Sequence, residues 1–374
     1  MTFEKFSCRY NIVTVYSFWE MRHLFWKSPP AHATTASGSE VVKTQPVDLV
    51  CTARRRLSAL GPDIGFESDG AIPADVIVPA SPKPVSIGIV KSVAFLSKPG
   101  RLPNNPHKVN QDRCWIMDIL DKSGSMYKFC GVADGHGVHG HNVAEMIRTH
   151  LGIHLEKQLP LYGDLKTAMK NSHERMSRDI MSSYLDVSFS GSTAISVLFK
   201  GDVLYCANVG DSRAIIGSRQ DGKWEATSIS RDHKPDIAEE AARIAHHGGR
   251  VAAYKTPNGE PVGPARVWLK AKDVPGLAMS RSFGDKVAAS VGVVAEPEIT
   301  VSSLSSEDKF LIIATDGVWE FISNQEAVEL VAPFLSKGDT KAAAETLCCH
   351  AEQKWINEED VVDDITAVII FFKN

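Results

Sequence analysis

The sequence predicts an α+β fold in which stacked β-sheets are flanked by helices. Short apolar stretches separated by turn residues come in groups, and pairs of long helical patterns lie between the groups. A parallel α/β fold would instead alternate single strands with single helices along the chain. With 374 residues, of which 43% are hydrophobic and 23% charged, the chain is long enough for one large catalytic domain with an extension, or for two modest domains.

The predicted elements begin near Val85 with three strands, read from SIGIVKSVAFL, DRCWIMDIL and MYKFCGVAD. A helix follows them, because Val143, Ile147, Leu151 and Leu155 recur four residues apart and share one helix face. After it we expect a second helix, three strands, a short helix that ends at a glycine pair, a buried strand, two helices and a closing strand. In that order these segments read GDLKTAMKNSHERMSRDIMSSYL, STAISVLFK, VLYCANVGD, SRAIIGSR, AEEAARIAHHGG, FLIIATDG, SNQEAVELVAPFL, TKAAAETLCCHAEQKWI and DDITAVIIFF.

The domain boundary is predicted where the composition changes. From about Ser28 to Pro84 the chain is rich in Pro, Ser, Ala and Thr and has no sustained periodicity. We therefore predict that residues 1–84 form a largely disordered N-terminal extension and that residues 85–374 form the catalytic domain. No apolar run approaches the roughly 18 residues of a membrane-spanning helix, so we expect no transmembrane segment.

Charge and cysteine content exclude some classes of function. The net charge is −4 and the isoelectric point about 6.4, which argues against a nucleic-acid partner. The seven cysteines are odd in number and form no CxxC pair, which favours free thiols in a reducing compartment. We therefore expect an intracellular protein, cytoplasmic and/or nuclear. We also expect it to be a monomer.

The stretch FCGVADGHGVHGHNVAEM allows three interpretations. Its glycines spell the dinucleotide-binding pattern GxGxxG, its histidines resemble zinc ligands, and Asp134 ends a strand with a carboxylate. The dinucleotide interpretation is weak because no second strand ending in Asp or Glu follows about 20 residues on. The zinc interpretation is weak because His136, His139 and His141 lie in a Gly-rich turn and no second Cys or His cluster supplies further ligands.

The carboxylate interpretation is supported by the rest of the chain. Five aspartates lie at predicted strand ends, and in stacked sheets such ends converge on one edge. Carboxylates that meet there repel one another unless cations lie between them. Ligation by oxygen alone favours Mg²⁺ or Mn²⁺ over zinc. The five are Asp112, Asp134, Asp211, Asp316 and Asp363.

Seven motifs, taken in order, resemble one known family. They are NQD, VADGHGVHG, SGSTA, NVGDSRA, PGLAMSRSFGD, ATDGVWE and DDITAV. Together they resemble the metal-dependent serine/threonine protein phosphatases of the type-2C class, over about residues 86 to 372. The resemblance implies a four-layer α-β-β-α sandwich of two antiparallel sheets flanked by helices. It also implies phosphorylated protein substrates and hydrolysis by direct attack of a water that bridges two Mg²⁺ or Mn²⁺ ions.

The resemblance assigns roles to individual residues. Asp134 would bridge both metals, and the Gly135 carbonyl would bind the second. Asp316 and Asp363 would hold the first metal, Asp112 would hold a metal-bound water, and Asp211 would belong to a third, weaker site. His136 would be the general acid that protonates the departing serine or threonine oxygen, while His139 and His141 shape the turn.

Two departures from the family pattern occur, one beside the metal-bound water and one at the position that binds the substrate phosphate. Gln111 stands where many members have Glu, and the phosphate-binding arginine of many members is absent from NNPHKVNQD. Lys108 is the candidate substitute, with Arg101 as the alternative. The segment from Gly248 to Gly276 is predicted to be a loop-rich flap, in which Arg266 and Trp268 either contact substrate or pack internally.

The main alternative function is a catalytically weak binding module that keeps the phosphatase fold. Such proteins typically lose metal-binding aspartates, whereas Asp134, Asp316 and Asp363 are all present. A different binuclear hydrolase acting on small phosphoesters or nucleic acid is a second alternative, although the near-neutral charge argues against nucleic acid.

Overall fold

The structure is a computed structural model that describes residues 88–373, except residues 104, 106 and 160–162. The predicted extension over residues 1–84 lies outside the described residues, and its disorder stays a prediction. Among the helices that the structure describes, none is long and apolar enough to cross a membrane.

Strands and helices follow the predicted order. The strands are β1 (Val90–Lys98), β2 (Asp112–Leu120), β3 (Met126–His136), β4 (Gly191–Ser192), β5 (Ala194–Lys200), β6 (Val203–Val209), β7 (Arg213–Gln220), β8 (Lys223–Ser228), β9 (Gly249–Lys255), β10 (Pro261–Leu269), β11 (Pro275–Leu277), β12 (Phe283–Gly284), β13 (Glu298–Ser303), β14 (Asp308–Ala314) and β15 (Ile365–Phe372). The helices are α1 (Gly140–Gln158), α2 (Leu165–Met181), α3 (Ala238–His246), α4 (Lys286–Ala289), α5 (Asp316–Trp319), α6 (Asn324–Val331) and α7 (Thr340–Glu358), and a 3₁₀ turn at Ala332–Phe334 follows α6.

Two antiparallel sheets form the centre of the molecule. The first has five strands in the order β1-β15-β14-β7-β8, and the second has seven, in the order β12-β4-β3-β5-β6-β13 with β2 paired to β3. Helices α1 and α2 pack on the second sheet, and α6 and α7 pack on the first. This arrangement is the predicted four-layer α-β-β-α sandwich.

The central strands are apolar on both faces because each face is covered. Along β14, Phe310 and Ile312 pack towards the outer helices, whereas Leu311 and Ile313 pack between the sheets. Successive strand side chains point to opposite faces, so two buried faces require a continuous apolar run. On the other side, Val143, Ile147, Leu151 and Leu155 of α1 are fully buried, as their spacing predicted.

Strand register brings the ends that carry carboxylates together. Ala314 at the end of β14 pairs with Arg213 at the start of β7 and with Ala367 near the start of β15. Asp112 at the start of β2 pairs with Asp134 near the end of β3. Each sheet therefore presents its aspartates at one edge.

The flap prediction was wrong in one respect, because Gly248 to Gly276 is largely a three-stranded sheet of β9, β10 and β11. Two of the glycines that suggested loops lie in the hairpin turn and at the point where the strand register shifts. Gly259 lies in the hairpin turn with φ +84°, and Gly263, with φ +74°, lies where the register shifts between Val262 and Arg266. Backbone that needs positive φ favours glycine, so a strand pair can contain it at such points.

Arg266 and Trp268 are packing residues of this small sheet. Arg266 is fully buried, its guanidinium lies 5.1 Å from the Tyr254 ring centroid, and its Nη1 donates to the Gly276 carbonyl at 2.7 Å. Trp268 stacks edge-on against Tyr254 at 4.9 Å and donates from Nε1 to the Ala252 carbonyl. Of the two roles left open by the sequence, the structure favours internal packing for both.

One buried histidine is expected to make stability depend on pH. Burial lowers the pKa of His173, in α2, from about 6.5 to about 4. Between these values the unfolded chain binds a proton that the folded chain excludes, so the free energy of unfolding falls as the pH falls from about 6.5 towards 4. The loss is at most ~3 kcal/mol. Urea unfolding at pH 7 and pH 5 should show a smaller loss for His173→Gln than for the parent, with the exposed His246→Gln as control. Equal losses in all three proteins would contradict this account.

Candidate active site

A pair of buried carboxylates forms the centre of the site. Asp112 and Asp134 stand directly opposite each other in the β2–β3 ladder, and they are 2% and 1% exposed. Directly opposite residues have Cβ atoms about 4.5–5.5 Å apart, and like charges at that spacing destabilise a sheet. A cation between these carboxylates would remove the repulsion.

Hydrogen bonds of Thr315 connect the segments that contain Asp316 and Asp363 to this pair. Its hydroxyl donates to Asp112 Oδ2 at 2.8 Å, and its backbone N–H donates to the Thr366 carbonyl at 3.0 Å. Thr315 directly precedes Asp316, the first residue of α5, and Thr366 lies three residues after Asp363. These hydrogen bonds therefore bring the segments of Asp316 and Asp363 to the edge where Asp112 lies.

Close backbone contacts, within the turn and with the segment at Phe189, require glycine at the three positions of the GxGxxG pattern. A Cβ on Gly135 would collide with the Gly140 carbonyl, and one on Gly137, whose φ is +78°, would collide with the Phe189 carbonyl. Gln111 closes the turn, since its Nε2 donates to the Gly137 carbonyl at 2.6 Å. β3 pairs only antiparallel with its neighbours, so the parallel unit of a dinucleotide fold is not formed here.

Asp211 lies beside this group and contacts a lysine. It is 2% exposed, and its carboxylate accepts from Lys234 Nζ. Burial opposes the charged form of Arg213, but a hydrogen bond with Asp232 and the charges of Asp232, Asp211 and Asp316 raise its pKa overall. Asp211 and Asp316 thus both act electrostatically on the Arg213 guanidinium.

The candidate general acid, His136, ends β3 and is 3% exposed. Its Nε2 lies 2.7 Å from Asp285 Oδ2, a partner that the sequence did not predict. His139 and His141 lie at the start of α1, and the His139 backbone N–H donates to Ser190 Oγ at 3.0 Å. Their position agrees with a role in shaping the turn.

The candidate phosphate ligand, Lys108, is held by a buried acid. Lys108 Nζ lies 2.5 Å from Asp364 Oδ2, and the two side chains are 16% and 1% exposed. Asp364 also accepts from the backbone N–H groups of Gly100 and Gln111, at 2.6 and 2.9 Å. The alternative, Arg101, is 61% exposed and approaches Glu352 at 3.9 Å. Lys108 therefore contacts Asp364, the residue that directly follows the proposed metal ligand Asp363, and so lies beside the acidic edge.

The donors fit a hard divalent cation. Carboxylate and backbone carbonyl oxygens are the ligands that Mg²⁺ prefers, and the Gly135 turn has no room for a side chain. In the part of the chain that the structure describes, no three His, Cys, Asp or Glu side chains already stand as a ready-made metal group. The fit rests instead on the facing carboxylates of β2 and β3 and on the hydrogen bonds of Thr315.

Three residues of the site were missed by sequence reasoning. Asp285 ends the quoted motif SRSFGD and Asp364 directly follows Asp363, but neither was given a role. Thr315 stands immediately before Asp316 in ATDGVWE and was read only as part of a strand end. The signal for each was its place inside a motif.

Comparison with known proteins decides the family. The sequence profile described as "Protein phosphatase 2C" matches residues 107–356. The chain is 35% identical over 294 residues to "Probable protein phosphatase 2C 35" of Arabidopsis thaliana, which covers 75% of this chain and 83% of that protein. The chain belongs to the protein phosphatase 2C family. Membership confirms the predicted family and enzyme class.

A second relative also supports the membership of this chain in the protein phosphatase 2C family, and a solved structure shares its fold. It is 41% identical over 276 residues to "Probable protein phosphatase 2C 64" of Oryza sativa subsp. japonica, covering 70% of this chain and 62% of that protein. The crystal structure of serine-threonine phosphatase 2C from Toxoplasma gondii aligns with a TM-score of 0.63 and 21% identity, over 76% of this chain and 98% of that one. That structural likeness confirms the predicted fold.

Proposed function

We propose that this protein phosphatase hydrolyses phosphoserine and phosphothreonine in protein substrates at a centre of two Mg²⁺ or Mn²⁺ ions, with a third ion weakly bound. The observation that carries the proposal is the buried pair Asp112 and Asp134, because facing carboxylates call for a cation between them. The proposed ligands are Asp134, the Gly135 carbonyl, Asp316 and Asp363, with Asp112 holding a water and Asp211 serving the third ion.

The protein's own groups position the reactants. When bound, the divalent ions neutralise the phosphoryl oxygens and supply a nucleophilic hydroxide near neutral pH. Thr315 orients the Asp112 carboxylate through its hydroxyl, and Gln111 holds the turn that presents the Gly135 carbonyl. Because Asp112 and Thr315 are buried and all these groups are hydrogen-bonded, their geometry is set before substrate arrives, which lowers the reorganisation that the reaction requires.

His136 supplies the proton that the leaving group needs. As the bond from phosphorus to the serine oxygen breaks, that oxygen takes a proton from the imidazolium ring, and the incoming water oxygen becomes part of inorganic phosphate. The ring is left neutral and regains its proton from solvent. A serine alkoxide is a poor leaving group, so this protonation accelerates the step.

Lys108 is proposed to bind the substrate phosphate, and Lys108→Met tests this role. A hydrogen bond to a charged group contributes about 1.5–3 kcal/mol, so kcat/KM should fall by roughly 10–100-fold. Inhibition by inorganic phosphate should weaken by a similar factor, a readout that does not depend on turnover. Lys122→Met, at an exposed turn position, is the control. Unchanged phosphate inhibition would show that Lys108 only neutralises Asp364.

The test of the proposed function is a phosphoserine-peptide assay with Mg²⁺, Mn²⁺ and excess chelator. We expect release of phosphate with either ion and loss of activity in chelator, restored when the ion is added back. Activity that survives chelator would reject the metal centre. No turnover with any ion, although the peptide still binds, would favour the catalytically weak binding module. A monomeric state and a cytoplasmic or nuclear location stay predictions.

A further inference from the structure

A second buried acid, Asp285, contacts the candidate general acid. Asp285 Oδ2 lies 2.7 Å from His136 Nε2, and the two side chains are 2% and 3% exposed. None of the proposed roles in metal or phosphate binding uses Asp285. A buried carboxylate placed against a reacting imidazole is a recurrent way to fix the orientation of that ring.

Two glycines in adjacent strands leave room for the Asp285 side chain to reach His136. Across three adjacent strands, His136 of β3 pairs with Gly191 of β4, and Gly191 pairs with Gly284 of β12. Because these two positions have no side chain, the carboxylate that follows Gly284 can reach over them to His136. A Cβ on Gly191 would collide with Asp285 Oδ2. The glycines therefore serve the contact between Asp285 and His136.

The direction of the Asp285 carboxylate is itself fixed. Its backbone adopts the left-handed conformation, with φ +49°, a region that is uncommon outside glycine but that aspartate tolerates better than most residues. The Asp285 N–H donates to the Ser190 carbonyl at 3.0 Å, and Ser282 Oγ donates to Asp285 Oδ2 at 2.6 Å. The oxygen that contacts His136 is thus held by the hydroxyl of Ser282 as well.

This contact decides which ring nitrogen can act. Nε2 is engaged by Asp285, whereas Nδ1 is buried and has no hydrogen-bond partner among the described residues. A hydrogen bond at one nitrogen fixes the tautomer and the orientation of the ring. We propose that Asp285 is a positioning residue that holds His136 with Nδ1 towards the leaving oxygen, an inference that rests on the proposed general-acid role.

The proton then follows a defined path. When the phosphorus–oxygen bond breaks, the proton on His136 Nδ1 moves to the serine oxygen, and the ring keeps its Nε2 proton against Asp285. The attacking water releases one proton to solvent and its oxygen joins phosphorus with the other, and solvent restores the Nδ1 proton for the next turnover. Asp285 stays a carboxylate throughout. Without it the ring can turn away or adopt the other tautomer, so proton delivery is lost while phosphate binding persists.

The test is Asp285→Gly, because glycine tolerates the left-handed backbone and removes only the carboxylate. We expect kcat on a phosphoserine peptide to fall by at least roughly 10-fold, and by no more than the ~10²–10⁴-fold that a general acid contributes, with KM unchanged. On p-nitrophenyl phosphate, whose leaving group needs no proton, the loss should be much smaller. In a His136→Ala background the substitution should cause no further loss. The matched control is Asp221→Gly, since Asp221 has the same φ of +49° in an exposed turn.

Equal losses on the two substrates, or a full further loss in the His136→Ala background, would overturn the inference and leave the proposed function standing. A parent protein without metal-dependent turnover of either substrate would reject the proposed function and this inference with it. If Asp285→Gly does not fold, as judged by thermal melting, Ser282→Ala decides. A loss confined to the phosphoserine peptide supports the inference, and a uniform loss or none overturns it.

Discussion

Asp134→Asn is expected to lower kcat on a phosphoserine peptide by about 10³-fold or more at saturating Mg²⁺. Asp134 faces Asp112 in the β2–β3 ladder and is proposed to bridge both ions. Asparagine keeps the shape of the side chain but removes the charge that attracts the cations, so several kcal/mol of transition-state stabilisation are lost. Initial rates across a Mg²⁺ titration measure both the maximal rate and the apparent affinity for the ion.

The same substitution is expected to have the opposite effect on the metal-free protein. Replacing one of two facing carboxylates removes their mutual repulsion, so the free energy of unfolding in chelator should rise. Added Mg²⁺ should stabilise the parent protein more than the variant, because only the parent retains the full ligand set. Asp202→Asn, in the exposed turn between β5 and β6, is the control for both measurements. A variant that keeps its activity, or is less stable than the parent in chelator, would assign Asp134 to the fold alone.

The individual helices and strands could be predicted because the spacing of apolar residues in the sequence matches the faces that are buried in the structure. The four buried residues of α1 recur every fourth position, and β14 and β15 are apolar throughout because both faces are covered. Strand partners are different. β1 pairs with β15, from Val90 with Phe372 to Lys98 with Ile365, and no local pattern marks two segments so far apart in the chain. The layering therefore followed from the family resemblance, and the pairing came from the structure.

The candidate site likewise contains residues that the sequence reveals and contacts that only the structure reveals. Aspartates at strand ends are visible in sequence, and the structure places Asp112 and Asp134 opposite each other. The partners of the reacting groups are not visible. Asp285 reaches His136 only because β3, β4 and β12 lie side by side, and Asp364 reaches Lys108 across more than 250 residues of chain. Such contacts depend on register and loop path, which spacing along the chain does not determine.

His136→Ala is expected to lose roughly 10²–10⁴-fold in kcat on a phosphoserine peptide, the usual contribution of a general acid. Expulsion of a serine alkoxide requires a proton, because that oxygen is strongly basic, whereas a nitrophenolate leaves readily without one. The loss on p-nitrophenyl phosphate should therefore be clearly smaller.

The structure supports a separation of His136 from the metal ligands, since its Nε2 contacts Asp285 and both side chains are buried. Isothermal titration of Mg²⁺ or Mn²⁺ should consequently give nearly the same affinity for His136→Ala and the parent. His246→Ala, at an exposed helix end, controls for the loss of any imidazole. Equal losses on the two substrates would indicate that His136 supports the turn rather than the chemistry. Lost metal binding would return the histidine to the ligand set, because removing an imidazole that binds no ion cannot change the affinity directly.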